Sequence, residues 1–311
     1  MQRNRRSLRC RAVGVGILSI LLAACQPRAH PKSPAELARE CSGARALAHV
    51  QQLVDLGPRP PGSAAIAKAR QYIAAQLESR GWHATEQAFT DTTPRGAVRF
   101  VNVVARFGRA KTDERNSLFL LCSHYDTKLF EQARFVGAND GGSSTGLLLE
   151  LARVLATDPS LAARIELVFF DGEEAFERFS ETDGLYGSRY FARDLASSGG
   201  AQRFRGGILF DMVGDRSLNV TLPTDSPAQM THDLFASTET LNARKHFGYF
   251  TGPVTDDHSP LNAIGIPTID IIDFDYPPWH TPSDTMDKLS AESLQIVGSV
   301  AAYYVAGFAL K

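Results

Sequence analysis

Apolar residues enter this chain in two kinds of run. Short continuous runs occur at Leu118–Cys122, Ile165–Phe170, Ile208–Phe210 and Thr268–Ile272. Such runs fit strands buried on both faces. Arg99–Phe107 alternates and is rich in valine, which predicts a further strand. Helical patterns lie among them. Ile66, Ile73 and Leu77 share one face before Gly81, a helix stop. Gly146–Ala156 reads as a buried helix, Tyr186–Ala196 as another, and Ala291–Phe308 closes the chain as a third. Strands separated by helices imply βαβ units. The expected fold is therefore α/β, a single domain with a mostly parallel central sheet and helices on both faces. No internal repeat is found, and no Pro/Gly/Ser linker divides residues 40–311.

The N-terminus breaks this pattern. Residues 1–11 carry five arginines and no acid, and an apolar stretch follows from Ala12 to Ala24. The stretch is short for a membrane span and reads as the core of a signal peptide. It ends in Leu22-Ala23-Ala24-Cys25, which resembles a bacterial lipobox, so Cys25 is expected to be lipidated. An ordinary signal peptide with an incidental cysteine is the plainer alternative, and Arg5-Arg6 leaves a twin-arginine route open. The expected organisation is a signal peptide over 1–24, a lipidated cysteine and tether over 25–40, and a catalytic α/β domain over 41–311. The protein is expected to be exported and lipid-anchored to the cell envelope, on the periplasmic side.

Composition narrows the class. Of 311 residues, 43% are hydrophobic and 22% charged, which excludes a disordered chain, a collagen-like repeat and a coiled coil. No apolar run reaches the ~20 residues of a spanning helix. The net charge is −1, and loss of residues 1–24 removes five arginines and no acid. The mature domain is then acidic, and nucleic acid is not an expected partner. Cys41 and Cys122 remain after processing. Export to an oxidising compartment would let them pair, or they are two separate buried thiols.

Polar residues gather where the buried runs end. His124-Tyr125-Asp126 follows the first, Asp171-Gly172-Glu173-Glu174 the second and Asp211 the third. Asn139-Asp140-Gly141-Gly142 precedes a helix, and Trp279-His280-Thr281 follows the last run. Each segment alone reads as a turn or a solvated loop. Together they fall at the carboxyl ends of strands, where open α/β sheets bind ligands. Carboxylates beside a low-dielectric wall need a cation or hydrogen bonds. Histidine with carboxylates, and no nearby cysteine pair, suits catalytic zinc with about three protein ligands. Asp140, Glu174 and His280 are the candidates. From Glu173-Glu174, one carboxylate can ligate metal while its neighbour faces substrate as a general base.

His124-Tyr125-Asp126, Gly137-Ala138-Asn139-Asp140, Asp171-Gly172-Glu173-Glu174 and Trp279-His280-Thr281 together resemble the zinc-dependent exopeptidase-like superfamily. It holds dizinc aminopeptidases and the animal-type glutaminyl-peptide cyclotransferases, or glutaminyl cyclases. Phe169–Ala192, His124–Lys128 and Asp256-Asp257-His258-Ser259-Pro260 are similar to the cyclases in particular. The resemblance runs from about residue 45 to the C-terminus. It implies a zinc exopeptidase-like fold and one Zn2+ per chain on Asp140, Glu174 and His280. It implies Glu173 as general acid/base, with Asp211 and Asp256 in its proton network. Trp279, Tyr276, Phe179 and Val254 then belong to the substrate pocket. Phe179 stands where the animal enzymes carry Trp, and Tyr276 near where they carry Phe. Asp270 stands where they carry His, and their disulfide partners are not matched.

The implied reaction closes an N-terminal Gln of a peptide or protein to pyroglutamate and releases ammonia. His124, Asp126 and Lys128 are candidates for a second metal or for supporting the first. A dizinc aminopeptidase is the alternative, with His124 and Asp211 holding the second ion and Asp140 bridging. A lipid-anchored binding protein is a third reading, against which the retained Glu173 argues. The chain is expected to be a monomer that meets the membrane through its anchor. A cis peptide bond is expected between Asp140 and Gly141.

Overall fold

The computed structural model describes residue 2, residues 31–108 and residues 117–310. Cys25 and, apart from residue 2, the expected signal peptide lie outside the described residues. The folded unit begins at Pro31. Its first helix, α1 (Pro34–Glu40), starts at a Ser33 capping box and buries Leu37 and Ala38. The expected tether of residues 25–40 thus gives its last residues to the fold.

Helices α2 (Gly43–Asp55) and α3 (Ala64–Glu78) follow, each opened by a serine cap. A long hairpin comes next, β1 (Trp82–Thr93) and β2 (Gly96–Phe107). Then come β3 (Leu118–His124), α4 (Gly142–Leu155), α5 (Pro159–Ala162), β4 (Ile165–Phe170), α6 (Tyr186–Ser198) and β5 (Phe204–Asp211). A small parallel pair, β6 (Val220–Leu222) and β7 (Phe247–Tyr249), flanks α7 (Ala228–Thr240). The chain closes with α8 (His258–Ala263), β8 (Thr268–Ile272) and α9 (Ala291–Gly307).

The main sheet runs β1-β2-β4-β3-β5-β8. Strands β4, β3, β5 and β8 are parallel neighbours, and β2 and β1 join antiparallel at one edge. Every residue of β3 and β4 is buried, as their continuous apolar runs require.

Alternate residues serve opposite faces. Phe119, Leu121, Leu167 and Phe169 pack with the α2, α3, α4 and α9 layer. Leu118, Leu120, Cys122, Val168 and Phe170 pack with Phe191 of α6 and Leu261 of α8. Truncating a fully buried Phe such as Phe169 to Ala would cost about 3–5 kcal/mol. Cys41 belongs to the first layer and Cys122 to the second. Both thiols are buried and free, since the sheet lies between them.

Candidate active site

The carboxyl ends of β3, β4, β5 and β8 open on one cavity of about 450 Å³, a size suited to a small-molecule group or one peptide residue. Asp140, Glu173, Glu174, Asp211, Asp256 and His280 line it, with Lys128, Phe179, Val254 and Trp279. These expected residues, dispersed in sequence, therefore meet.

Asp140, Glu174 and His280 each offer a ligand atom within 4.8 Å of the others. His280 Nε2 lies 3.2 Å from Glu174 and 3.4 Å from Asp140 Oδ2. Asp140 Oδ2 is buried and has no hydrogen-bond partner. A buried carboxylate oxygen left open toward a histidine and a second carboxylate suits a divalent cation, and the donor set fits zinc.

Local structure explains how these atoms are held. Asp284 accepts the Asn139 and Asp140 N–H groups at 2.8 and 3.1 Å, and the Tyr276 hydroxyl at 2.7 Å. Gly141 turns the chain into α4 at φ +72°, where a Cβ would stand 2.6 Å from the Asp126 carbonyl oxygen. No cis peptide bond occurs among the described residues. The expected cis bond at Asp140–Gly141 is corrected to trans, because the left-handed glycine makes the turn. The Arg59 guanidinium, fully buried, donates to carbonyls of Leu53, Gly57, Tyr125, Val136 and Gly137. It ties the loops around Asp140 together.

Asp126 does not line the cavity. Its carboxylate accepts the Glu173 N–H at 3.2 Å and the Glu174 N–H at 3.3 Å, and contacts His124 Nδ1 at 3.3 Å. It orients the dipeptide from beneath. His124 Nε2 lies 3.2 Å from Asp211 Oδ1 and 3.3 Å from Asp140 Oδ1. These three residues also form a cation-sized group. Lys128 Nζ donates to Glu174 Oε2 at 3.4 Å and to the Ala175 carbonyl at 3.1 Å.

The adjacent glutamates differ electrostatically. Burial raises the Glu173 carboxyl well above its ordinary range, with the charges of Glu174 and Asp256 adding to the shift. Burial opposes ionisation of Glu174 too, but the His280 hydrogen bond and charge, with Lys128, hold it down at about 2. Burial, then Glu174, pushes Asp140 up to about 7. Asp256 is raised by burial and by Asp211.

Trp279 stacks on His280 with ring centroids 4.3 Å apart. Phe179 and Trp279 are 40% and 42% exposed and stand at the mouth. Tyr276 is a correction. It is absent from the cavity wall and 3% exposed, because its hydroxyl is drawn inward to Asp284. Phe274, which has no such polar tie, takes the wall position against Trp279. Asp284 was missed in the sequence, although an acid four residues beyond His280 was a usable signal.

The chain is also similar to known proteins. Residues 102–305 match Peptidase family M28. The chain is 32% identical over 287 residues to the glutaminyl-peptide cyclotransferase-like protein of Mus musculus, covering 80% of this chain and 72% of that one. It is similar to the crystal structure of an Acidobacteriales bacterium glutaminyl cyclase, with TM-score 0.78 and 30% identity over 90% of this chain and 97% of that one. A Zn-dependent exopeptidase from Parabacteroides distasonis also matches, with TM-score 0.78 and 26% identity over 86% of this chain and 99% of that one. The chain thus belongs to Peptidase family M28 and, within it, to the glutaminyl-peptide cyclotransferase family.

Proposed function

We propose that this protein converts the N-terminal Gln of peptides or proteins to pyroglutamate and releases ammonia, with one zinc ion per chain on Asp140, Glu174 and His280. The observation that carries this reading is the composition of the cavity. Beside the three metal-type ligands stand Glu173, Asp211 and Asp256, and no lysine or arginine bridges these three among the described residues. Asp211 is paired with His124, and among the described residues Glu173 and Asp256 carry no such partner, so their carboxyl groups are open to the substrate's amine. Zinc held there would supply positive charge for the amide carbonyl oxygen.

Glu173 takes a proton from the attacking α-amine and gives it to the departing ammonia, a task its raised proton affinity suits. Asp211 and Asp256 hold the amine's charge on the opposite side. Trp279, Phe179, Val254 and Phe274 form an apolar wall that excludes water and leaves room for the Gln side chain. Amine and amide belong to one substrate molecule, so the site's work is orientation and charge placement.

A dizinc aminopeptidase is the competing reading, favoured by the His124–Asp140–Asp211 group. One preparation distinguishes them by metal content, ammonia release from a Gln-initiated peptide and amino-acid release from a Leu-initiated peptide. One zinc with ammonia release supports the cyclase. Two zinc ions with amino-acid release and no ammonia overturn it. Residues 1–25 support export and a lipid anchor at Cys25 as part of the same proposal.

A further inference from the structure

A second cavity, of about 530 Å³, adjoins the segment that walls the catalytic one. Thr224 lines it, and the Thr224 N–H donates to the Gly252 carbonyl at 3.1 Å. Val254 and Thr255, two and three residues beyond Gly252, line the catalytic cavity. The second cavity follows one face of α7. Ala228, Thr231, Phe235 and Glu239 line it, and their three- and four-residue spacing places them on one stripe of the helix.

Its end at the start of α7 holds hydrogen-bonding groups that the chain does not use. Pro227 precedes the helix and no side chain caps it, so the N–H groups of the first turn find no acceptor in the helix itself. Thr231 is 6% exposed and its Oγ1 has no hydrogen-bond partner. The buried Oγ of Ser226, on the same wall, has none either. Buried polar groups are normally paired. Orphaned donors around a helix N-terminus call for a ligand rich in acceptors, and the helix dipole favours a negative one. Asp225, the acid nearest in sequence, is exposed and does not line the cavity.

Farther along the helix the wall turns apolar and cationic. The Phe235 and Tyr249 rings lie 5.0 Å apart, and Tyr249 is 61% exposed. The Arg244 guanidinium sits 4.2 Å over the Phe235 ring and has no carboxylate partner among the described residues. Glu239 is ~16 Å from Ala228 along the helix axis, so the acidic end is remote from the N–H end. A ligand that suits this arrangement carries a carboxylate at one end and an aromatic or aliphatic group beside it.

We infer that the second cavity binds the C-terminal end of a peptide, with its carboxylate on the first turn of α7 and Thr231, and its last side chain against Phe235 and Tyr249. Capture of a terminal carboxylate by unpaired backbone N–H groups is a recurring mode of peptide recognition. Because one short segment, 252–255, adjoins both cavities, the peptide is the substrate, with Gln in the catalytic cavity and its far end in the second. Its identity as substrate rests on the cyclase reading, whereas the carboxylate site does not.

Peptides of increasing length, with Gln first and Phe last, test this as free acids and as C-terminal amides. Once a peptide is long enough to reach both cavities, the acid should show a KM about tenfold below that of the amide at equal kcat, as expected for a charge at a partly buried helix N-terminus. Ser226→Asp places a fixed carboxylate at that end and should abolish the preference. Thr231→Val removes the hydroxyl at nearly constant shape and should reduce the preference to about twofold. Tyr249→Ser should raise KM for long acids and amides alike. None of the three should change kcat or the KM of the shortest substrate. Since the Thr231 hydroxyl has no partner in the fold, Thr231→Val should also melt no lower than the wild type.

Equal KM values for acid and amide at every length would overturn the inference. So would a preference that survives both Ser226→Asp and Thr231→Val, or a Thr231→Val variant that melts lower than the wild type. If the wild type turns over no Gln peptide, the cyclase reading fails. Equilibrium binding of N-acetylphenylalanine against its amide, to the wild type and to Ser226→Asp, then still decides whether the carboxylate site exists.

Discussion

Glu173 and Glu174 are chain neighbours with opposite tasks, and their surroundings assign them. Glu174 is held ionised by His280 and Lys128, whereas burial and the Glu174 charge keep a proton near Glu173. Glu173→Gln should keep zinc and lose ~10²–10⁴-fold in kcat, the usual loss of a general base. Glu174→Gln should lower zinc content. Steady-state kinetics with metal analysis on both variants checks the pair, and the reverse pattern would exchange their roles. A base must be ionised, so activity falls as pH drops through its pKa. With Glu173 raised, the acidic limb of the pH–rate profile should lie above the ordinary glutamate value of about 4.3, and Glu173→Gln should abolish that limb. Gly141→Ala should destabilise by about 1–2 kcal/mol from its positive φ alone and weaken zinc retention, as thermal melts with and without zinc would show. Most site residues were legible because acids directly after buried apolar runs have few structural uses. The inward turn of Tyr276 was not, because the hydrogen bond that draws its hydroxyl to Asp284 leaves no pattern in the sequence.

Among elements, the loop between β4 and α6 contributes most to the shape of the cavity. Asp183 accepts the N–H groups of Phe176, Glu177 and Arg178 at 2.8, 2.9 and 3.0 Å, and the Tyr186 hydroxyl at 3.0 Å. This cage fixes the segment that carries Phe179 to the wall. Asp183→Asn replaces an acceptor by a donor facing N–H groups, and should raise KM for Gln peptides several-fold with a smaller effect on kcat. Measuring KM and kcat separately checks it; an unchanged KM would show that the loop holds its shape without Asp183. The buried strands β3, β4 and β8 were legible from continuous apolar runs. Strand β1 was not. It lies at the sheet edge, with only Trp82, Phe89 and Thr93 buried in twelve residues, so neither alternation nor a continuous run marks it. Helix α7 was hidden because serine and threonine take part of its buried face.

At the scale of the molecule, the fold is a mixed sheet between two helical layers, with its chemistry at one end of the parallel strands. The βαβ pattern made the parallel part legible and alternation marked β2, but its antiparallel pairing with β1 escaped because β1 packs at the edge with little apolar signal. No helix among the described residues is long and apolar enough to cross a membrane. The proposed lipid anchor predicts that Cys25→Ser releases the protein from the membrane fraction; unchanged processing and fractionation would exclude the anchor. A lipobox anchor carries several acyl chains, enough for stable attachment where one chain holds only marginally. The central claim is that this cavity closes an N-terminal glutamine onto its own side chain. Mass spectrometry of a Gln-initiated peptide, incubated with the purified protein and separately with its Glu173→Gln variant, tests it most directly. The account predicts that the wild type removes the mass of one ammonia and blocks the amino terminus, and that the variant does so far more slowly. An intact peptide, or one shortened by its first residue, would contradict it.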